Sequence, residues 1–377
     1  MKVPLSSPDI TEKERKAVLA VLKTPQLSLG PKLVEFENTF AKYIGTKHAI
    51  AVNSGTSALH LSIRALAIGE GDEVITTPFS FIASANCALF EQAKPVFVDI
   101  REDTLNLDET QIEKKITKRT KAILPVHVFG YPADMAKINK IAKKRKLKVI
   151  EDSCEAIGAQ IGRKKVGNFS DCAVFAFYPN KQMTTGEGGM VVTNDDEIAM
   201  LIKSMRNQGR DRIAWHEYNR LGYNYRLSEM NCALGIAQLK RLKVMLKKRE
   251  AVANIYDNEL LKVEGVEIPP RDMGGAKRSW FVYVIRLKEQ YSKYRDRVIE
   301  FLKKNGIGAS AYFPPIHLQP FYAKEFGYKK GDFPVTEKVA ASTIALPFFN
   351  NLTTLQVNYV VKILKKSLSE VKSARQA

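Results

Sequence analysis

Four cysteines, two tryptophans and five histidines are few for a chain of 377 residues, and each scarcity closes off a class of protein. Cys87, Cys154, Cys172 and Cys232 lie far apart, with no C-x-x-C pair and no histidine at ligand spacing, so neither a disulfide framework nor a metal site is expected. They read as small buried apolar residues. No apolar run reaches the roughly 18 to 20 residues that span a bilayer. The opening Met1–Pro4 leads into polar Ser6–Asp9 rather than an apolar signal core, so a cytoplasmic location with no membrane partner is expected. Carboxylates are also short: 40 Asp and Glu against 59 Lys and Arg leave a net charge of +19. Such a field draws nucleic acid, anionic lipid or a nucleotide diphosphate alike. The basic runs Lys143–Lys146 and Lys247–Arg249 fall at the ends of expected helices, where cations suit the macrodipole and water. No nucleic-acid-binding motif accompanies them, and nucleic acid is not expected as a partner.

Two nucleotide signatures are missing as well. There is no G-x-x-x-x-G-K-[ST], and no G-x-G-x-x-G follows the first expected strand. Gly162–Gly167 has the first spacing but continues with Asn168, and reads as a short hairpin excursion.

What is present is an ordinary globular composition, 45% hydrophobic and 26% charged, at a length that predicts two domains. Short β-branched runs at His48–Val52, Glu73–Thr76, Val96–Asp99, Lys121–Val126, Lys148–Glu151, Ala173–Phe177 and Met190–Thr193 alternate with helical spacing over Thr56–Ala67, Ser80–Glu91 and Ala133–Lys146. That alternation predicts an α/β domain with a mostly parallel sheet, over residues 1–249. A long helical pattern over Arg226–Arg249 leads out of it. Beyond it, an alternating strand over Trp280–Leu287, helices over Ser292–Asn305 and Leu355–Leu368, and a proline-rich loop over Tyr312–Pro320 predict a smaller α+β domain, residues 250–377.

In an open parallel sheet, ligands bind beyond the carboxyl ends of the strands. After the first strand, Asn53-Ser54-Gly55-Thr56-Ser57 opens a helix with small hydroxylated residues, suited to a phosphate and equally to a plain cap. After the fifth strand, Asp152 and Glu155 place carboxylates at the sheet edge. After the sixth comes Tyr178-Pro179-Asn180-Lys181, followed by Gly186, Gly188 and Gly189. Lys181 stands between an apolar strand and a glycine cluster, where partial desolvation would free an amine able to form a Schiff base.

Taken together, Asn53–Leu59, Thr77–Phe81, Val126–Gly130, Ile150–Asp152, Phe175–Gly189 and Gly222–Arg226 resemble, in order, the motifs of the DegT/DnrJ/EryC1/StrS sugar aminotransferases. The resemblance covers about Leu5 to Pro347. It implies the pyridoxal phosphate-dependent transferase fold of type I, a homodimer with shared active sites, and pyridoxal 5'-phosphate passing through pyridoxamine 5'-phosphate. It also implies an amino group moved from L-glutamate to a 4-keto nucleotide-linked deoxysugar, in polysaccharide biosynthesis.

By the same resemblance, Lys181 is the Schiff-base lysine and Asp152 the partner of the cofactor's ring nitrogen. Phe81 lies over the ring, Gly55, Thr56 and Ser57 meet the phosphate, and Asn224 reaches it from the other subunit. Tyr312 and His317, in the loop resembling the family's small-domain loop, face the sugar; for His317, packing under the proline-rich loop is the competing reading. The polar, cationic segment Asn207–Arg220, with Arg210, Arg212, Trp215 and His216, is suited to closing on a diphosphate. Two departures stand out. Ala176 replaces the serine that many members carry five positions before the lysine, so one phosphate contact is missing. Glu155, the choice of perosamine synthase-like members, sets a carboxylate beside the cofactor's phenolic oxygen, which predicts a raised pKa for Glu155. A 3-aminotransferase and a sugar dehydratase of the same family remain alternatives, the latter disfavoured because it replaces the lysine with histidine. From another class comes a non-catalytic nucleic-acid-binding regulator.

Overall fold

The computed structural model describes residues 1–211, 217–271 and 274–376. Two helices that the strand–helix alternation does not mark come first. Helix α1 (Glu12–Leu22) begins with a capping box, in which Thr11 accepts from the Lys13 N–H and the Glu14 carboxylate accepts the Thr11 N–H at 2.7 Å. Helix α2 (Pro31–Ile44) starts on proline, and the distant Glu229 carboxylate accepts the N–H groups of Gly30, Lys32 and Leu33 at its open end.

The central sheet is built from β1 (His48–Val52), β2 (Glu73–Thr76), β3 (Lys94–Phe97), β4 (Thr120–Ile123) and β5 (Lys148–Asp152). A short hairpin, β6 (Gln160–Ile161) and β7 (Lys164–Lys165), intervenes before β8 (Cys172–Ala176) and β9 (Gly189–Thr193). The order is β1-β9-β8-β5-β4-β2-β3. All neighbours run parallel except β9, which is antiparallel to both β1 and β8. The sheet is thus mostly parallel as predicted, but the stretch around Lys181 is a return connection between antiparallel neighbours. The third strand begins two residues before its expected position. It is an edge strand, where the missing N–H of Pro95 faces no neighbour.

Helix α3 (Gly55–Ala65) follows β1, and α4 (Ala83–Leu89) follows β2. The latter starts three residues later than expected, which leaves Ser80–Ile82 as non-helical chain at the strand end. The long helix runs Glu229–Leu260 and passes through residue 249 without a break. Its buried Val252, Ala253, Tyr256 and Leu260 continue the helical spacing, and no glycine or proline interrupts them. Beyond it, β10 (Val266–Glu267), β12 (Tyr283–Leu287) and β13 (Thr343–Leu346) form a three-stranded sheet, while β11 (Ala276–Lys277) joins the β6–β7 hairpin.

One apolar cluster fills the α3 face of the central sheet, and a second joins the other face to α2 and the long helix. A third is formed almost wholly by residues from Val252 onward, with Val3 added from the amino terminus. Among the described residues no helix is long and apolar enough to cross a membrane.

Candidate active site

The carboxyl ends of the parallel strands, the β8–β9 connection and the loop 310–314 enclose a cleft of about 730 Å³. Gly55, Thr56, Phe81, Asp152, Glu155, Lys181 and Tyr312 all line it. The connectivity explains the convergence, because each of the first five lies at or just past the end of β1, β2 or β5.

At the mouth of β1, Ser54 caps α3 by accepting the Ser57 N–H at 3.0 Å. The first N–H groups of a helix have no partner inside it, so the start of α3 presents donors and the positive end of its dipole. Close packing sets this terminus in place. A Cβ on Gly55 would sit 2.7 Å from the Ala176 Cβ, and one on Gly189 would meet the Ser54 carbonyl oxygen at 2.3 Å. The methyl of Ala176 therefore fills the space against Gly55. Ser57 does not line the cleft: it is 8% exposed, and its hydroxyl donates to Asn53 Oδ1 at 2.7 Å.

Asp152 ends β5, buried at the floor of the cleft. Its Oδ2 accepts from Ser84 Oγ at 2.7 Å and its Oδ1 from the Cys154 N–H at 3.1 Å. Ser80 Oγ lies 2.8 Å from Ser84 Oγ and extends the chain of hydroxyls. Glu155 accepts the Phe129 N–H on Oε2 at 2.9 Å and turns Oε1 toward Lys181 Nζ, 3.7 Å away. Burial pushes the Glu155 carboxyl above its usual range, opposed by Lys181 and the Phe129 N–H. The expectation concerned the cofactor's phenolic oxygen, whereas burial is the largest cause of the shift in this chain. Neighbouring Glu151 has a different task. Fully buried, it accepts from His127, Ser170 and the N–H groups of Gly167 and Phe169, and braces the back of β5.

Lys181 is mostly shielded from solvent, its side chain 13% exposed, and Nζ lies 3.9 Å from the centroid of the Phe281 ring. Tyr312 stacks on Phe313 and Phe129, and burial raises its phenol pKa. Phe81 is 61% exposed and available to a planar ligand.

Besides Ser57, two named residues lie outside this cleft, His317 and Asn224, the latter expected to serve the partner subunit's site. His317 is fully buried outside the cleft, its Nε2 3.1 Å from Glu337 Oε1 and its ring edge-on to Phe333. The geometry is that of a histidine packed beneath the proline-rich loop. Asn224 has an exposed side chain outside the cleft, and its carbonyl accepts a long 3.5 Å bond from Asn53. Flanking Tyr223 and Tyr225 stack on each other and bond to Glu91 and His60 respectively, which fixes the stretch beside α3. Arg212, Trp215 and His216 lie outside the described residues, and Arg210 sits over the ring of Tyr218.

Ser84, Phe129, Phe281 and Arg249 also shape the site, and of these Phe129 alone falls within a motif named above, Val126–Gly130. The serine carried a weaker signal, since Ser80 and Ser84 stand four residues apart beyond a strand end.

The donors fit a phosphorylated, aldehyde-bearing pyridine. Helix-terminal N–H groups suit the phosphate, a buried carboxylate the ring nitrogen, and an amine the aldehyde. The cradle at Gly55 admits no side chain.

The sequence pattern of the DegT/DnrJ/EryC1/StrS aminotransferase family matches residues 8–365. The GDP-perosamine synthase of Caulobacter vibrioides is 39% identical over 368 residues, covering 97% of this chain and 98% of the relative. Among solved structures, the Helicobacter pylori aminotransferase PseC, involved in pseudaminic acid biosynthesis, superimposes with a TM-score of 0.93 at 33% identity, covering 98% of this chain and all of that one. The PLP form of the Streptococcus pneumoniae protein Spr1654, described as a putative sugar aminotransferase, gives 0.93 at 26% identity, with the same coverage. The fold is therefore that of type I pyridoxal phosphate-dependent enzymes, and the chain belongs to the DegT/DnrJ/EryC1/StrS aminotransferase family.

Proposed function

We propose that this chain is a pyridoxal phosphate-dependent aminotransferase that moves an amino group from L-glutamate to the 4-keto group of a nucleotide-linked deoxysugar. The observation that carries this reading is the convergence of Lys181, Asp152, Glu155 and the start of α3 on one cleft. Likeness to a GDP-perosamine synthase supports the substrate class, and the PLP form of the pneumococcal neighbour supports the cofactor.

When bound, the cofactor supplies an electron sink for the carbon that loses its proton. In this reading Lys181 Nζ would hold the cofactor through its aldehyde carbon and, once displaced by the donor's amine, would carry the proton from the substrate carbon to the carbon that bore the aldehyde. Glu155 Oε1, beside that nitrogen, shares the burden of its charge. Asp152, oriented by Ser84 and the Cys154 N–H, accepts the ring N–H. The N–H groups at Gly55 and Thr56 bind the phosphate. Phe81 and Tyr312 cover the cleft and exclude water, and Asn224 completes the phosphate site of the partner in a homodimer. Residues 1–249 would carry the cofactor, and 250–377 the substrate loop.

Borohydride reduction of protein supplied with pyridoxal 5'-phosphate, followed by digestion, should yield a pyridoxyl peptide carrying the modification on Lys181, and none from Lys181→Ala. Incubation with glutamate and a panel of 4-keto and 3-keto nucleotide sugars should give a 4-amino product by mass and NMR. A 3-amino or dehydrated product would replace the proposed acceptor chemistry. A colourless protein with salt-dependent DNA retention would replace the enzyme by the regulator.

A further inference from the structure

Arg249 stands on the long helix Glu229–Leu260 and is 2% exposed. Among the described residues it makes no ion pair. Its guanidinium instead donates Nη1–H to the Phe281 carbonyl at 2.9 Å and Nη2–H to the Lys181 carbonyl at 3.0 Å, and its Nε has no hydrogen-bond partner. The centroid of the Phe348 ring lies 5.5 Å from its central carbon and Asp9 is the anion acting on it from beyond ion-pair distance, so its hydrogen bonds go to neutral carbonyls alone, an unfavourable burial unless the geometry it imposes is needed. Burial brings its pKa down to about 10.

The two carbonyls belong to the two residues whose side chains meet in the cleft. Lys181 sits on a turn held by its own N–H bonding to the Tyr178 carbonyl, and Phe281 comes from the strand-entry segment before β12. We propose that Arg249 is a positioning residue for the amine of Lys181, joining these two backbone segments so that Nζ rests on the Phe281 ring and beside Glu155. This rests on the reading of Lys181 as the Schiff-base lysine. A planar fork with two parallel donors can hold two carbonyls at once. Lysine, a single point of charge, serves them less well. Without the fork, Nζ leaves its shielded seat. It becomes more open to small reagents and less well aimed at an aldehyde bound at the end of α3.

The test uses cofactor-free full-length protein with Arg249→Met, Arg249→Lys and Phe281→Leu. Formaldehyde with cyanoborohydride methylates the Lys181 amine: a C=N bond forms with loss of water, and the cyanoborohydride supplies hydride to it. Peptide mass spectrometry gives the rate at Lys181 against other lysines. In parallel, pyridoxal 5'-phosphate condenses with the same amine, releasing water, and is followed by absorbance. Methylation at Lys181 alone should rise about tenfold in Arg249→Met while condensation slows about as much, the scale of one lost charge-assisted hydrogen bond. Arg249→Lys should fall between, and Phe281→Leu should reproduce the effect. The double variant should add little to either single one, as expected of residues acting as a unit. Unchanged Lys181 methylation in folded Arg249→Met overturns the proposal. Should that variant fail to fold, unchanged Lys181 methylation in folded Arg249→Lys overturns it. Wild-type protein that methylates as described yet never condenses with the cofactor would overturn the functional reading and leave the positioning role intact.

Discussion

Ser84 donates its hydroxyl hydrogen to Asp152 Oδ2 at 2.7 Å, across 68 residues of sequence. The acceptor ends β5 and the donor opens α4 beyond β2, so two separate crossovers of the sheet aim one carboxylate. With the Cys154 N–H on the other oxygen, the carboxyl plane is fixed from both sides.

Removing that hydroxyl should loosen the carboxylate without unfolding the domain. Ser84→Ala should weaken pyridoxal 5'-phosphate binding by about tenfold, the loss of one hydrogen bond to a charged group. Absorbance titration of cofactor-free protein measures it. Wild-type affinity in the variant would mean that Ser84 does not orient Asp152.

Glu155 supplies a pH signature. Its folded-state pKa lies above the usual 4.5, with burial as the largest cause. A raised carboxyl contributes stability that is fully present below the unfolded value and is lost as pH rises through the folded value. Cofactor-free wild type should therefore lose stability relative to Glu155→Gln as pH climbs from about 4.5 through the raised value, by about 1.4 kcal/mol for each pH unit that separates the two. Comparing the two proteins cancels the carboxylates that move the other way, such as Glu14, whose burial is outweighed by bonds from Thr11 and Arg241 that bring its pKa down to about 2. Parallel stability curves across that window would contradict the burial effect.

Gly130 joins the cofactor side of the cleft to the segment bearing Phe281. Its φ is +79°, and an added Cβ would lie 1.8 Å from the Ser279 carbonyl oxygen and 3.0 Å from that of Glu155. The Ser279 N–H bonds to its carbonyl at 2.9 Å. Gly130→Ala should cost about 2 kcal/mol or more in denaturant unfolding, from left-handed strain plus overlap. A midpoint within error of wild type would show that this approach tolerates a methyl.

Several site residues were legible because strand periodicity and the binding rule for parallel sheets act locally. His48–Val52 and Glu73–Thr76 stand where their β-branched runs predict, and Thr56, Asp152 and Lys181 line the cleft because each ends or follows a strand. The expected roles of those residues came from resemblance rather than from spacing. Strand direction was not legible: nothing in Gly189–Thr193 marks it as antiparallel, because alternation records burial and not orientation.

The amino-acid sequence by itself determined the α/β alternation, the absence of an apolar span, and the order of chemistry-bearing residues along the chain. Each follows from composition or from contacts a few residues apart. Tertiary structure alone decided that Ser84 meets Asp152, that Phe281 lies under Lys181, that Arg249 grips both backbones, and that His317 is packed away beside Phe333. Those outcomes depend on how distant helices and loops share one buried volume. A local pattern can require that a side chain be covered, but only the packed fold chooses what covers it.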